Sequence, residues 1–390
     1  MTEAILVLNI GSSSIKFAIY VAGTLELLCG GHIDGIASSD VAVRIEGPRA
    51  ADFGDTALPP TIRDRAGAAR WLLDRIRQSL SDIVICAAGH RVVHGGTDFA
   101  RPIIVDERVL HALESLVPLA PEHQPHNLAA IRMVAETWPG LTQVACFDTA
   151  FHRTLPMRAQ WFALPRALAA EGVLRYGFHG LSYEYLAGIL PQHADDRANQ
   201  RVVIAHLGHG ASLCALRDRR SVATTMGFTA LDGLMMGRRS GAVDPGVLLY
   251  LLQQKGMAPA AVENLLYNQS GLLGVSGISD DLRVLEASGD ARAEEAVDLF
   301  AYRASSEIAS MAAALEGLDV LVFSGGIGEH SAPMRRRICT FSAWLGIALD
   351  DNANLRHGPR ISAPDSRVDV YVIPTDEEIV VARAADRLRR

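Results

Sequence analysis

Two stretches of this chain follow one plan, and that repetition constrains the fold more than any other feature. Leu6 to Tyr20 reads LVLNIGSSSIKFAIY, and Val202 to Leu216 reads VVIAHLGHGASLCAL. Each is an apolar run, a tight turn of glycine and small polar residues, and a second apolar run, the pattern of a buried β-hairpin. Small residues at the turn let backbone N–H groups approach an anion. Two such hairpins predict a two-lobed clamp on the phosphates of one nucleotide, ATP.

The chain has room for that plan. Its 390 residues, 49% apolar and 21% charged, can fill two domains with separate cores. The five cysteines, Cys29, Cys86, Cys146, Cys214 and Cys339, are scattered and lack any C-x-x-C spacing. That argues against a disulfide framework or a zinc site and for a reducing, cytoplasmic setting. The sequence opens on no leader-like segment and contains no run of about 18 apolar residues, so neither secretion nor a membrane partner is expected. A formal charge of −7 without a long basic stripe argues against nucleic acid as partner. The arginine-rich stretch Arg383 to Arg390 reads as a helix end.

Strand-like runs alternate with helical patterns, the signature of an α/β protein. Arg63 to Leu80 places Leu72, Leu73, Ile76 and Leu80 on one helical face and leads into a strand at Ile83 to Ala88. A strand at Val144 to Phe147 ends at Asp148, whose bland role is to cap a helical turn over Thr149 to His152. Ala291 to Leu315 predicts a long helix, followed by a strand at Asp319 to Phe323, a glycine turn at Gly325 to Gly328 and a helix from about Ala332. A final strand, Val368 to Ile373, runs into a closing helix with Thr375 as N-cap and Glu378 completing a capping box. Ala37 to Pro60 and Asp350 to Ser366 read as turn-rich stretches.

Neither G-x-x-x-x-G-K-[ST] nor G-x-G-x-x-G at a strand-to-helix turn is present, so the phosphate site is of another kind. Gly325, Gly326 and Gly328 leave room for a flat ring or a ribose. Arg91 in GHRVVHGG and Arg239 in MGRRSG sit among glycines and apolar residues. A guanidinium is always charged and presents two parallel N–H bonds to a carboxylate or phosphate. His90 with His94, and His123 with His126, have metal-like spacing but no accompanying ligands, which argues against zinc.

With FDTAFH at Phe147 to His152, YGFHG at Tyr176 to Gly180 and GGIGE at Gly325 to Glu329, the chain resembles the acetokinase family of the actin-like and sugar-kinase-like ATPases over nearly its whole length. The resemblance implies an α/β fold of two duplicated RNase-H-like domains with an active-site cleft between them. The N-terminal lobe would span 1–149, joined by the C-terminal helix 376–390, and the C-terminal lobe 150–375. It implies a homodimer that uses Mg2+, with Mn2+ as a substitute, to phosphorylate acetate reversibly, giving acetyl phosphate and ADP. Asp148, Arg91, Arg239 and His179 match the family's catalytic positions. Arg91, Val93, Glu122, His123, Phe178 and Ala230 match its acid-binding positions. Its nucleotide positions fall on Ser12, Ser14, Lys16, His206, Gly208, His209, Gly210, Asp281, Leu282, Arg283, Gly325, Gly326, Ile327, Gly328 and His330, and its metal positions on Asn9 and Glu377.

The chemistry agrees with such an assignment. A carboxylic acid with a pKa of about 4 is already ionised near neutrality, so its phosphorylation needs no general base. It needs cations and donors, because an anion must approach an anion. Some positions depart from the family pattern. Glu122 stands for a leucine and Ala230 for a proline in the acid pocket, which predicts a roomier pocket and a Glu122 paired with a neighbouring arginine or histidine. His209, His330 and Asp376 stand where asparagine is usual. The rival readings are a propionate or other short-chain acyl kinase of the same family, a sugar kinase using Asp148 as base, and an actin-like or chaperone-like ATPase that needs no Arg91, Arg239 and His179.

Overall fold

A computed structural model describes residues 1–11, 14–36, 41–54 and 56–390; Ser12 lies outside the described residues. The chain forms two compact units. Unit 1 comprises Met1–Phe151 and Asp376–Arg390, and unit 2 His152–Thr375.

Unit 1 is built on strands β1 (Thr2–Ile10), β2 (Ser14–Val21), β3 (Leu27–Asp34), β4 (Ala42–Glu46), β5 (Ile83–Val92), β6 (Ile103–Ile104) and β7 (Thr142–Phe147), in the order β4-β3-β2-β1-β5-β7-β6. β1 to β4 pair antiparallel, while β1, β5 and β7 run parallel. From Ala4 to Ile10 every residue of β1 is buried, as expected of a central strand covered on both faces. Leu6, Leu8 and Ile10 share a core with Ala68, Leu72 and Ile76 of the helix Arg65–Ser79. The opposite face of β5 receives the C-terminal helix Glu377–Leu388. Gly89 permits this contact, since a Cβ there would stand 2.5 Å from Val381 Cγ1.

Unit 2 repeats the plan with β8 (Val202–Leu207), β9 (Ala211–Arg217), β10 (Arg220–Thr224), β11 (Val320–Ser324) and β12 (Asp369–Val372), in the order β10-β9-β8-β11-β12. β8, β9 and β10 are antiparallel and β8, β11 and β12 parallel. This matches β3-β2-β1-β5-β7 in order and direction, so the fold is the duplicated RNase-H-like α/β arrangement. The two hairpins correspond in plan, with turns of different length. They close on the pairs Ile10 with Ile15 and Leu207 with Ala211. In each the turn glycine donates its N–H back across the turn, Gly11 to the Ser14 carbonyl at 2.9 Å and Gly208 to the Gly210 carbonyl at 3.0 Å. Asn9 and His206 therefore occupy equivalent places, one residue before the end of their strands.

Three local expectations need correction. Asp376, not Thr375, caps the last helix, accepting from the Ile379 N–H at 2.9 Å, and no capping box forms through Glu378. Gly325–His330 is a short helix rather than an open turn. The turn-rich stretch before Pro60 contains β4, because pairing with β3 stabilises a segment whose own pattern is weak. The Asp148 carboxylate accepts from Arg91. The final arginines do close a helix, with Arg389 and Arg390 both held by Asp386.

Two histidines of the motifs belong to the packing. His90, on β5, meets the Gln143 side chain at 2.7 Å, and His152 lies between the Ser221 hydroxyl and the Phe178 carbonyl, each at 2.9 Å. Burial pushes both imidazoles down from 6.5 to about 4. Between about pH 4 and 6.5 the unfolded chain then binds more protons than the folded one, so stability falls as pH falls through that window. The full loss approaches about 3 kcal/mol per histidine. Urea unfolding at steps from pH 7 to 4.5 should show this decline, and His90→Gln should flatten it; an equal slope in both proteins would contradict the assignment.

Candidate active site

Unit 1 gathers Asn9, Arg91, Asp148 and Glu377 at the C-terminal ends of β1, β5 and β7 and the start of the last helix. Parallel strands place their carboxyl ends together, so residues far apart in sequence meet there. Arg91 donates from Nε to Asp148 Oδ1 at 2.9 Å and from Nη2 to Asp148 Oδ2 at 2.5 Å, a two-pronged bond, and from Nη1 to Asn9 Oδ1 at 3.0 Å. Glu377 Oε2 lies 3.8 Å from Arg91 Nε. Asp148 is only 2% exposed and Arg91 18%, so the pair is largely shielded from water. Burial works against the charge on Arg91, but Asp148 and Glu377 more than offset it and raise its pKa. Burial, reinforced by the charge of Glu377 and opposed by that of Lys16, raises the pKa of Glu378.

The other residues expected in unit 1 divide. Lys16, exposed on β2, pairs in register with Asn9, and Ser14 begins the same strand. Val93 is buried, its N–H held by Asn127 Oδ1 at 3.0 Å. His123 is the N-cap residue of the helix Gln124–Thr137. Glu122, in the turn before it, forms no ion pair among the described residues, contrary to expectation; partial exposure lets water solvate its carboxylate instead.

Unit 2 brings together His179, His206, Arg239 and the hairpin glycines. The His179 and His206 rings stack with centroids 4.4 Å apart. A Cβ at Gly210 would stand 3.4 Å from His179 Nε2 and 4.0 Å from Arg239 Nη1, so this bare backbone adjoins both side chains. Arg239 donates to the Ala230 carbonyl at 3.1 Å. Its loop is tightly folded on Gly271, which has φ +64°, and where a Cβ would lie 2.2 Å from the Met236 carbonyl. Of the expected acid-pocket residues, Phe178 and Ala230 belong to this unit.

A cavity of about 470 Å3 in unit 2 is lined by Gly208, His209, Asp281, Leu282, Arg283, Gly326, Ile327 and His330, all expected nucleotide positions, together with Asp280, Glu286 and Ser331. His209 Nε2 meets Asp280 Oδ2 at 3.2 Å, and Arg238 Nε donates to the same oxygen at 2.6 Å. Burial opposes ionisation of Asp280, but these two hydrogen bonds hold it below the usual carboxylate range. Gly325 has φ +76°, and a Cβ on it would strike the Leu207 carbonyl at 2.8 Å, which brings the short glycine helix against β8. A cavity of about 930 Å3 in unit 1, edged by Arg101, Arg108 and Arg387, contains none of the expected residues; size alone does not locate the chemistry.

Sequence reasoning missed the residues that hold this machinery. Asn127 donates to the Ile10 carbonyl at 2.9 Å while accepting from Val93, joining the ends of β1 and β5. Gln124 bonds both N–H and C=O of His94. Ser212, Tyr183 and Ser182 surround the histidines. Buried amides on helices give no local signal; Ser212 alone was readable, lying two residues past a turn glycine.

Gly326 is different from its neighbours: a Cβ there would meet no protein atom within 4 Å. It lines the cavity, so a methyl group there would take space from what enters it. Gly326→Ala should therefore leave urea stability unchanged or slightly raised, since alanine is the better helix former by about 1 kcal/mol, while raising KM for ATP several-fold. Unchanged KM, measured in the same preparation, would place the nucleotide elsewhere.

Comparison with known proteins shows the family. The profile of the acetokinase family matches residues 4–383. The acetate kinase of Rhodopseudomonas palustris (strain TIE-1) is 54% identical over 396 aligned residues, covering 100% of this chain and 99% of the relative. Among solved structures, a propionate kinase from Francisella tularensis superposes with a TM-score of 0.91 at 34% identity, covering 99% of both chains. The Porphyromonas gingivalis acetate kinase gives 0.87 at 35%, covering all of both. With the match running almost end to end and the motif residues standing where the repeated fold puts them, this chain belongs to the acetokinase family.

Proposed function

We propose that the chain is a carboxyl-group phosphotransferase that moves the γ-phosphoryl group of ATP to acetate, reversibly, through an in-line transition state. The observation that carries this reading is the Arg91 fork: a largely shielded guanidinium, its side chain 18% exposed, fixed by Asp148 and Asn9. A site that must receive an anion needs a cation that does not move, and a guanidinium bound on two sides is already oriented. Arg91 and Arg239 orient the acid and offset charge on the transferring group. His179 donates to it from Nε2, and Asp148 fixes Arg91 rather than taking a proton.

The unit 2 cavity accounts for the nucleotide. Gly208 and Gly326 offer bare backbone to its phosphates and sugar, while Leu282 and Ile327 supply apolar surface for its base. Magnesium suits the oxygen donors of unit 1. Asn9 and Glu377 would hold it, with waters and phosphate oxygens as its other ligands. When bound, it neutralises charge on the phosphate oxygens. A cytoplasmic setting accords with five free cysteines, four of them buried.

Propionate is the second reading, favoured by the small Ala230 side chain in the acid pocket. Hydroxylamine trapping of acyl phosphates with ATP, Mg2+ and a panel of acetate, propionate and butyrate decides between them. Acetate should give the strongest signal, EDTA should abolish it, and Arg91→Ala or Arg239→Ala should lower kcat by about 10²–10³. Propionate ranking above acetate would favour the second reading. No acyl hydroxamate from any acid would overturn both.

We further propose a homodimer formed through unit 2. The helix Pro245–Gln253 reads PGVLLYLLQ yet buries no residue within the chain, and Val247, Leu249 and Tyr250 are about half exposed. So apolar a helix in water calls for a partner surface. Sedimentation equilibrium should give twice the chain mass, and Leu249→Asp should shift the protein towards monomer; a monomeric native protein would refute the proposal.

A further inference from the structure

We propose that two parallel hydroxyl relays, Tyr183 to Ser212 to His179 and Thr375 to Ser182 to His206, fix both imidazoles as neutral donors from Nε2. The catalytic use of that donor rests on the function proposed above; the relays themselves do not.

The geometry is the same in both. Ser212 Oγ lies 2.8 Å from His179 Nδ1 and 2.5 Å from the Tyr183 hydroxyl. Ser182 Oγ lies 2.8 Å from His206 Nδ1 and accepts from Thr375 Oγ1 at 2.9 Å. Both serines are fully buried, and the β8–β9 register sets Ser212 opposite His206. The four groups thus converge on two stacked rings.

A serine hydroxyl has one proton and two lone pairs. Tyr183 is fully buried, and burial raises its pKa, so it remains a neutral phenol. A phenol, with an ordinary pKa of about 10, is far more acidic than an alcohol and is the donor in a short bond between the two. Ser212 then directs its own proton to His179 Nδ1. In the second relay Thr375 donates to Ser182, which directs its proton to His206 Nδ1. An imidazole that accepts at Nδ1 carries its hydrogen on Nε2. That atom of His179 faces the bare backbone of Gly210, with Arg239 beside it.

The groups facing the pair favour neutrality as well. Each ring stacks on the other, Arg239 supplies a fixed positive charge nearby, and Tyr183 lies edge-on to His206. A second positive charge on stacked rings is disfavoured. The site therefore offers an N–H donor to the transferring phosphoryl without requiring an imidazolium, and its donor survives above the pH at which an ordinary histidine has lost its charge.

Histidine-selective 15N labelling of the full chain and two-bond 15N–1H correlation spectra at pH 7.5, without substrate, read the tautomers directly. Both rings should show a protonated Nε2 and a bare Nδ1. Tyr183→Phe should mix the tautomers of His179 and leave His206 unchanged, Thr375→Val should do the reverse, and Thr375→Ser should restore the native spectrum. In turnover, Tyr183→Phe should lower kcat about three- to tenfold, the worth of one hydrogen bond, with KM for ATP unchanged. An imidazolium or an Nδ1–H tautomer in the unmodified protein would overturn the relays even if no variant folds, as would native tautomers in Tyr183→Phe. Because the spectra are taken without substrate, they stand or fall separately from the hydroxamate assay.

Discussion

The register of one strand pair in each unit governs where the chemistry can be. β1 and β8 are buried along most of their length, so a slip of one residue would turn every side chain to the other face. With that slip forbidden, the end of each hairpin is fixed. Asn9 and His206 take equivalent places because each hairpin's last paired residue lies one position beyond them. The duplicated fold has been put to different use at that place: an amide that accepts from Arg91 in unit 1, and an imidazole held through Ser182 in unit 2.

The second requirement is electrostatic. Arg91 and Asp148 form a shielded pair whose separation would leave an uncompensated charge, at a cost of about 3–5 kcal/mol. Such a pair is weak evidence for stability in its own right, because removing two charges from water opposes what they gain by meeting. Its value is orientation: two bonds to Asp148 and one to Asn9 leave the guanidinium no freedom to follow a substrate. Glu377 adjoins the same group, and Glu378 is close enough to Glu377 and Lys16 for both to affect its ionisation. Carboxylates exceed cations in this neighbourhood, the imbalance a divalent ion would correct.

Much of this was legible in the chain because it is local. The hairpins, the helix Ala291–Leu315 and the glycine segment at Gly325 announce themselves by period and composition. The motif arginines could be picked out because glycines surround them. What could not be read depends on contacts between distant segments. β4 exists through pairing with β3, and Asp148 meets Arg91 only when β5 and β7 lie side by side. Capping went to Asp376 because its carboxylate reaches the Ile379 N–H, while the Thr375 hydroxyl is engaged by Ser182. A capping box is a local rule, and here a tertiary hydrogen bond overrode it. The unpaired Glu122 makes the converse point: a charge expected to seek a partner can instead remain in water.

The glycines separate what the fold needs from what a ligand needs. At Gly89 a side chain would strike Val381, and at Gly271 it would strike the Met236 carbonyl, so the chain itself accounts for their bareness. Gly325 is likewise explained by β8. At Gly326 the same test finds no protein atom, although glycine in a helix costs stability relative to alanine. In the proposed function that open space is taken by the nucleotide. Gly326 faces a cavity that also contains Gly208, the turn glycine of the second hairpin, so the repeat from which the fold could be read is also the point at which the structure leaves space for another molecule.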